Sequence, residues 1–277
     1  MKYYLVGLYN RADDHHIFLL AGGLAFSLYV TIIPLVLIVF AALGSVVERP
    51  SIVQQIDHFI GTAIPYQDYA AEIRDFVYAR LSKFSAYRGH AGVIGIVGLL
   101  IASTSLFSSM RTVLNRVYRV IVQQHVLVGK LRDLGLVLAV LLFFLVSIAV
   151  LPGLEILKEA TERWPILQKY NLGFLAELVF QAVSFVLTLI GFAFLYLTLP
   201  QMKPSGRVVT VSAMTAAVLW YLAKVLFGFY IVHFFSIREV YGAYAILVAV
   251  ALWVYYTAIV FIIGGEVGQL YRERINS

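Results

Sequence analysis

The sequence predicts an all-α polytopic membrane protein, with six transmembrane helices and two amphipathic helices in its first outer loop. Three observations predict it. Of the 277 residues, 61% are hydrophobic and 13% charged, with a mean hydropathy of +0.88, more apolar surface than a soluble chain of this length can hide. The apolar residues gather in six long runs, each near the roughly 20 residues a helix needs to cross about 30 Å of hydrocarbon. The runs are also continuous, where barrel strands would alternate in segments of about ten, so helices are the elements that pair every backbone group in lipid.

The first run covers 18–47 and starts behind Asp13, Asp14, His15 and His16. It is too long for a signal-peptide core and reads as an uncleaved span. Pro34 lies inside it and should kink the helix or end its straight part. The connector that follows is long and patterned. Ile52, Ile56, Phe59, Ile60 and Ala63, then Tyr69, Ile73, Phe76, Val77 and Phe84, recur at helical spacing on either side of Pro65. These predict two amphipathic helices at about 51–85, lying at the outer interface as a cap, a gate or a docking surface. The second span, 92–110, carries a stripe of small residues, Ala91, Gly95, Gly98, Ala102, Ser105 and Ser109, which allows close helix approach. The remaining spans are expected at 134–152, 174–199, 208–235 and 241–265. The chain between spans is too poor in apolar residues for a second core, so 1–277 reads as one membrane domain.

Charge gives the orientation. With the N-terminus inside, eleven Lys and Arg face the cytoplasm and nine the outside, where ten acids offset them. Five basic residues and one acid, Asp133, crowd the connector 111–133. Both termini are therefore expected in the cytoplasm, and the +6 net charge reflects membrane topology rather than nucleic-acid binding. The chain has no cysteine, hence no disulfide, thiolate metal site or Cys nucleophile. It also lacks phosphate-loop, dinucleotide and metallohydrolase motifs, so neither catalysis nor a cofactor is expected. Asp13, Asp14, His15 and His16 are metal-ligand types, but adjacent residues do not share a helix face.

The sharpest single residue is Lys224. It lies eleven positions before Phe235, roughly 17 Å of helix from the outer end. A lysine there costs about 2.5–3.5 kcal/mol on insertion scales, so it should face protein or a watery cavity. Its partner is a carboxylate from another span, the Tyr221 hydroxyl or an anionic ligand. Ser105 and Ser109, in a run crowded with hydroxyls, belong either to helix packing or to a polar path. Glu266 follows Gly264 and Gly265 at a cytoplasmic helix end, where an acid is normally solvated.

Several of these residues carry a family likeness. Leu24-Ala25-Phe26-Ser27-Leu28-Tyr29 leading to Pro34, Leu114-Asn115-Arg116-Val117-Tyr118, Leu195-Tyr196 with Leu199-Pro200, and Leu219-Trp220 with Ala223-Lys224 all contribute. The most specific stretch is Tyr241-Gly242-Ala243, Leu252-Trp253-Val254-Tyr255-Tyr256 and Gly264-Gly265-Glu266. The chain resembles the YihY/BrkB family of six-span bacterial inner-membrane proteins over nearly its whole length. One departure is Ile101-Ala102-Ser103, where the family usually has a tryptophan.

The resemblance implies an inner-membrane location and brings two labels, a virulence factor and a ribonuclease (ribonuclease BN). The residues give the nuclease no support, because no cluster is suited to metal binding or general acid–base work. The resemblance also points to movement of phospholipid or other envelope lipids. Membrane lipids are then the ligands. Lys224 would hold the phosphate, Ser105, Ser109 and Asn115 would line the inner path, and Tyr221 and Glu266 would complete the set of headgroup-binding residues. A periplasmic lipid-transfer partner would dock on the outer amphipathic helices. An ion-coupled small-solute transporter and an envelope scaffold are the alternatives, and the oligomeric state stays open.

Overall fold

The computed structural model describes residues 2–44, 74–75, 88–120, 129, 132–133, 135–140, 142–143, 172–234 and 243–276. Among them every regular element is a helix: α1 (Lys2–Asp14), α2 (Ile17–Gly44), α3 (Arg88–Val117), α4 (Leu172–Thr198), α5 (Gly206–Phe234) and α6 (Ala243–Asn276). Five of these, α2 to α6, are long and apolar enough to cross a membrane. The expected third span is described only at its start, where residues 135–140 are helical. Of the expected amphipathic pair only residues 74 and 75 are described, and the rest lies outside the described residues.

Two differences from the expected boundaries have one cause. α3 runs on past Met110 to Val117, and α6 runs past Gly265 to Asn276. Charges mark where a helix leaves hydrocarbon, but they do not end it when partners are at hand. Arg111 is 7% exposed and pairs with Asp133, which is 2% exposed. The end of α3 is set by geometry instead. Arg119 adopts a left-handed φ of 52°, and the Val120 amide donates to the Asn115 carbonyl at 2.8 Å, the long bond of a Schellman cap. His16, with φ 50°, likewise separates α1 from α2. Helix α1 was not expected from the sequence at all, since its 13 residues are too few and too mixed in polarity to announce a span.

The chain forms two compact units. The smaller, Leu28–Ser103, contains the second half of α2 and the first half of α3. Here α2 continues through Pro34 rather than ending there. Gly98 makes room for it, because a Cβ at Gly98 would lie 3.2 Å from the proline Cβ.

The larger unit, Met1–Ser27 with Thr104–Ser277, holds the rest. In it α5 packs between α4 and α6, and α1 packs on α6. The closest approach is between α5 and α6. A Cβ at Gly264 would sit 2.8 Å from the Ala216 Cβ and 2.9 Å from the Ser212 carbonyl oxygen, and one at Gly268 would sit 3.2 Å from the Val208 carbonyl oxygen. Small residues four apart on each helix, Ser212 and Ala216 against Gly264 and Gly268, bring the two backbones together where lipid supplies no hydrophobic drive. Large apolar side chains turn outward instead, among them Leu19 at 75% and Leu226 at 66% exposure. In water such a surface would aggregate, and in a bilayer it is the lipid-facing side.

Candidate functional site

Helix α4 stops ahead of Pro200, which cannot supply an amide to continue the ladder, and α5 resumes after Pro204, with the Val209 amide donating to the Ser205 carbonyl. The turn between them is fastened from outside. Arg132 donates to the carbonyls of Thr198 and Pro200, satisfying acceptors that a helix end leaves open. The Asn115 side-chain oxygen accepts from the Gln201 amide at 3.0 Å. Asn115→Ala is expected to cost about 1 kcal/mol, the usual value of such a bond, visible as a lower midpoint in thermal unfolding.

Held this way, α4 and α5 form a groove of about 330 Å³. Lys224 is exposed on it, with Gln181, Ser184, Thr188 and Tyr221 beside the lysine and Phe185, Trp220 and Phe229 forming apolar walls. No Asp or Glu among the described residues lines the groove. Among the described residues Lys224 makes no ion pair or hydrogen bond. The Thr188 hydroxyl is committed to the Ser184 carbonyl at 2.8 Å. A second groove of about 360 Å³, apolar apart from Gln181 and Tyr221, adjoins along the same helix pair and shares Gln181, Phe185 and Tyr221 with the first. Trp220 links the groove to the interior through contacts with Phe192 at 6.1 Å and Trp253 at 4.9 Å between ring centroids.

A second polar centre occupies the end of the unit where α1, α3 and α6 meet. Glu266 is completely buried, contrary to the solvated acid expected there. Arg11 donates to it at 3.1 Å and to Glu273 as well. Nδ1 of His15 lies 2.5 Å from the other Glu266 oxygen. Glu273 is further engaged by Gln269 at 3.0 Å and Arg119 at 3.6 Å. Next to this cluster the Tyr118 and Ser212 hydroxyls are 3.1 Å apart. Burial pushes the Tyr118 hydroxyl up to about 12; the Ser212 bond opposes the shift and the Glu266 charge adds to it. Tyr118 therefore keeps its proton at any physiological pH. Tyr196, also buried, donates to the Phe261 carbonyl at 2.6 Å.

The six residues singled out from the sequence thus divide between places. Lys224 and Tyr221 share the groove. Ser105 is exposed on α3, and Ser109 lies 3.2 Å from the Ser27 hydroxyl. Asn115 and Glu266 are built into the fastened end and do not line the groove. Gln181, Ser184 and Thr188 were missed. Single hydroxyls and amides are common in spans, and only the facing helix shows which of them meet a lysine.

A family profile described as virulence factor BrkB matches residues 8–277. The chain belongs to the BrkB family. The match takes in α2 to α6 and most of α1, so both the groove and the buried cluster lie inside the family region. Similar proteins include a UPF0761 membrane protein of Alteromonas mediterranea, 25% identical over 95% of this chain and 85% of its own length. One from Psychromonas ingrahamii is 23% identical over 98% and 88%, and one from Cronobacter sakazakii is 24% identical over 94% and 85%. None of these names specifies an enzymatic activity. No solved structure matches the chain.

Proposed function

We propose that this BrkB-family protein binds an anionic membrane lipid in the α4–α5 groove, with Lys224 holding its phosphate, and passes the lipid across the membrane or to a partner. The observation that carries the reading is a lysine deep in an apolar span, in a groove with no acid among its described lining residues. A cation in that position needs a counter-charge. Of the three partners the sequence allowed, a carboxylate is missing from the described groove lining, and Tyr221 is a neighbour of Lys224 but supplies no charge. A ligand phosphate fits both the charge and the surrounding donors Gln181 and Ser184. The aromatic and aliphatic walls suit acyl chains, and the groove opens sideways on the lipid-facing surface.

The helix ends support six crossings in an inner membrane. In the larger unit α2 begins, and α3, α4 and α6 end, around the same basic end, where Arg132 and Asp133 also stand and α5 begins. A further crossing between residue 133 and α4 fits these ends. With basic residues marking the cytoplasmic side, both termini are inside. The expected outer helices at about 51–85 are then on the side where a periplasmic partner would receive the lipid. The ion-coupled alternative asks for a free intramembrane acid. The buried acids among the described residues are already held, Glu266 by Arg11 and His15 and Asp133 by Arg111.

Native mass spectrometry of the purified chain beside Lys224→Met tests the reading. Loss of a charge-assisted contact should weaken retention of an anionic phospholipid about tenfold or more. Equal retention by the variant would show that the groove does not bind through this lysine, and the reading would fail.

A further inference from the structure

The end of α6 and the start of α5 border an open cavity of about 450 Å³, lined by Arg207, Arg272, Ser205, Asn276 and Ile275 among others. Two arginines, 65 positions apart on consecutive helices, line one space. Neither makes an ion pair or hydrogen bond among the described residues. Most other arginines around this end are engaged: Arg11 by Glu266 and Glu273, Arg111 by Asp133, Arg119 by Glu273, Arg132 by carbonyls at the end of α4, and Arg274 over the Tyr3 and Tyr4 rings. Arg116, exposed on the last turn of α3, makes no ion pair or hydrogen bond among the described residues either. Glu273, the acid next in sequence to Arg272, has its carboxylate taken up by Arg11 and Arg119 and does not neutralise the pair.

We infer that Arg207 and Arg272 form a second lipid site, which holds the phosphate of an anionic phospholipid in the leaflet at the basic end. Like charges lining a common cavity repel, and a phosphate between them turns that repulsion into two charge-assisted, fork-shaped contacts. Ser205 and Asn276 add neutral donors for ester or headgroup oxygens. The rim is apolar, with Ile275 54% exposed, which suits the glycerol ester and first methylenes of a lipid and offers nothing to a free phosphate. This site is independent of the Lys224 reading. It lies at an end of the helices rather than along α4, and it would bind a lipid as a fixed structural or regulatory ligand.

The test counts phosphatidylglycerol molecules bound per chain, by native mass spectrometry, with phosphatidylcholine as the zwitterionic reference. It compares wild type, Arg207→Gln, Arg272→Gln, the double variant and Lys224→Met. Each single arginine variant should bind one phosphatidylglycerol about fivefold more weakly, and the double variant about thirtyfold, at about 1 kcal/mol for each basic residue. The same loss should appear when the arginine changes are placed in the Lys224→Met background, whatever Lys224→Met does alone. Neither guanidinium holds another of the described residues, so the variants should unfold at the wild-type temperature. Three results would each overturn the inference: undiminished phosphatidylglycerol binding by the double variant, equal binding of phosphatidylcholine, or complete displacement of the lipid by millimolar inorganic phosphate. The last would mark a site for soluble phosphate instead.

Discussion

Arg11→Met is expected to be the most damaging single substitution in the protein. Arg11 is 7% exposed and reaches two acids, one of them the fully buried Glu266. Removing the guanidinium leaves a carboxylate in a site that excludes water, with only His15 facing it. Breaking one half of a buried pair costs about 3–5 kcal/mol, because the surviving charge stays desolvated. Helical circular dichroism followed through unfolding in detergent should show that loss. The double variant Arg11→Met with Glu266→Met should recover most of it, since the cost lies in the orphaned charge and not in the missing attraction. If the single variant unfolds like wild type, α1 is not held by this pair and the cluster is incidental.

The second large effect is steric. A methyl group added at Gly264 would meet the Tyr196 hydroxyl, the Ala216 side chain and the Ser212 backbone at once, and a methyl at Gly268 would strike Ser212. Overfilling a packed interface costs about 1–3 kcal/mol. The upper end is expected at Gly264, where one of the opposing atoms is backbone and cannot turn away. Gly268→Ala should be partly rescued by Ser212→Ala, which removes the nearest atom. Gly22→Ala is the control. It has nothing within 4 Å of the new carbon and should be neutral or stabilising by about 0.5–1 kcal/mol, the ordinary gain of alanine over glycine within a helix. Equal unfolding midpoints for Gly264→Ala and Gly22→Ala would contradict the close α5–α6 crossing.

The groove and the buried cluster differ in how far the sequence revealed them. Lys224 stood out because a charge inside an apolar run is costly wherever it points, and that cost is readable from the run alone. Its surroundings were not readable. Ser184 and Thr188 become interesting only because α4 turns them towards α5, and rotation about a helix axis is set by packing. Asn115 and Glu266 were noticed for their motifs and assigned to a lipid path and to headgroup binding. The structure gives both of them partners in the fold, a backbone amide for Asn115 and Arg11 with His15 for Glu266. The missing information was α1. A short helix of mixed polarity carries little signal in composition, yet it brings the compensating charges from 255 residues away in sequence.

Composition and the length of the apolar runs determined by themselves that this is a helical membrane protein, because the bilayer imposes its thickness and its lack of water on every segment separately. They also placed the five described spanning helices to within a few residues at most boundaries. Tertiary structure alone decided that α3 and α6 continue past their expected ends, which small residues touch, and which charges are buried. Those outcomes depend on partners from distant parts of the chain, such as Arg11 for Glu266 and Ser212 for Gly268, and no local window of sequence contains both members of such a pair.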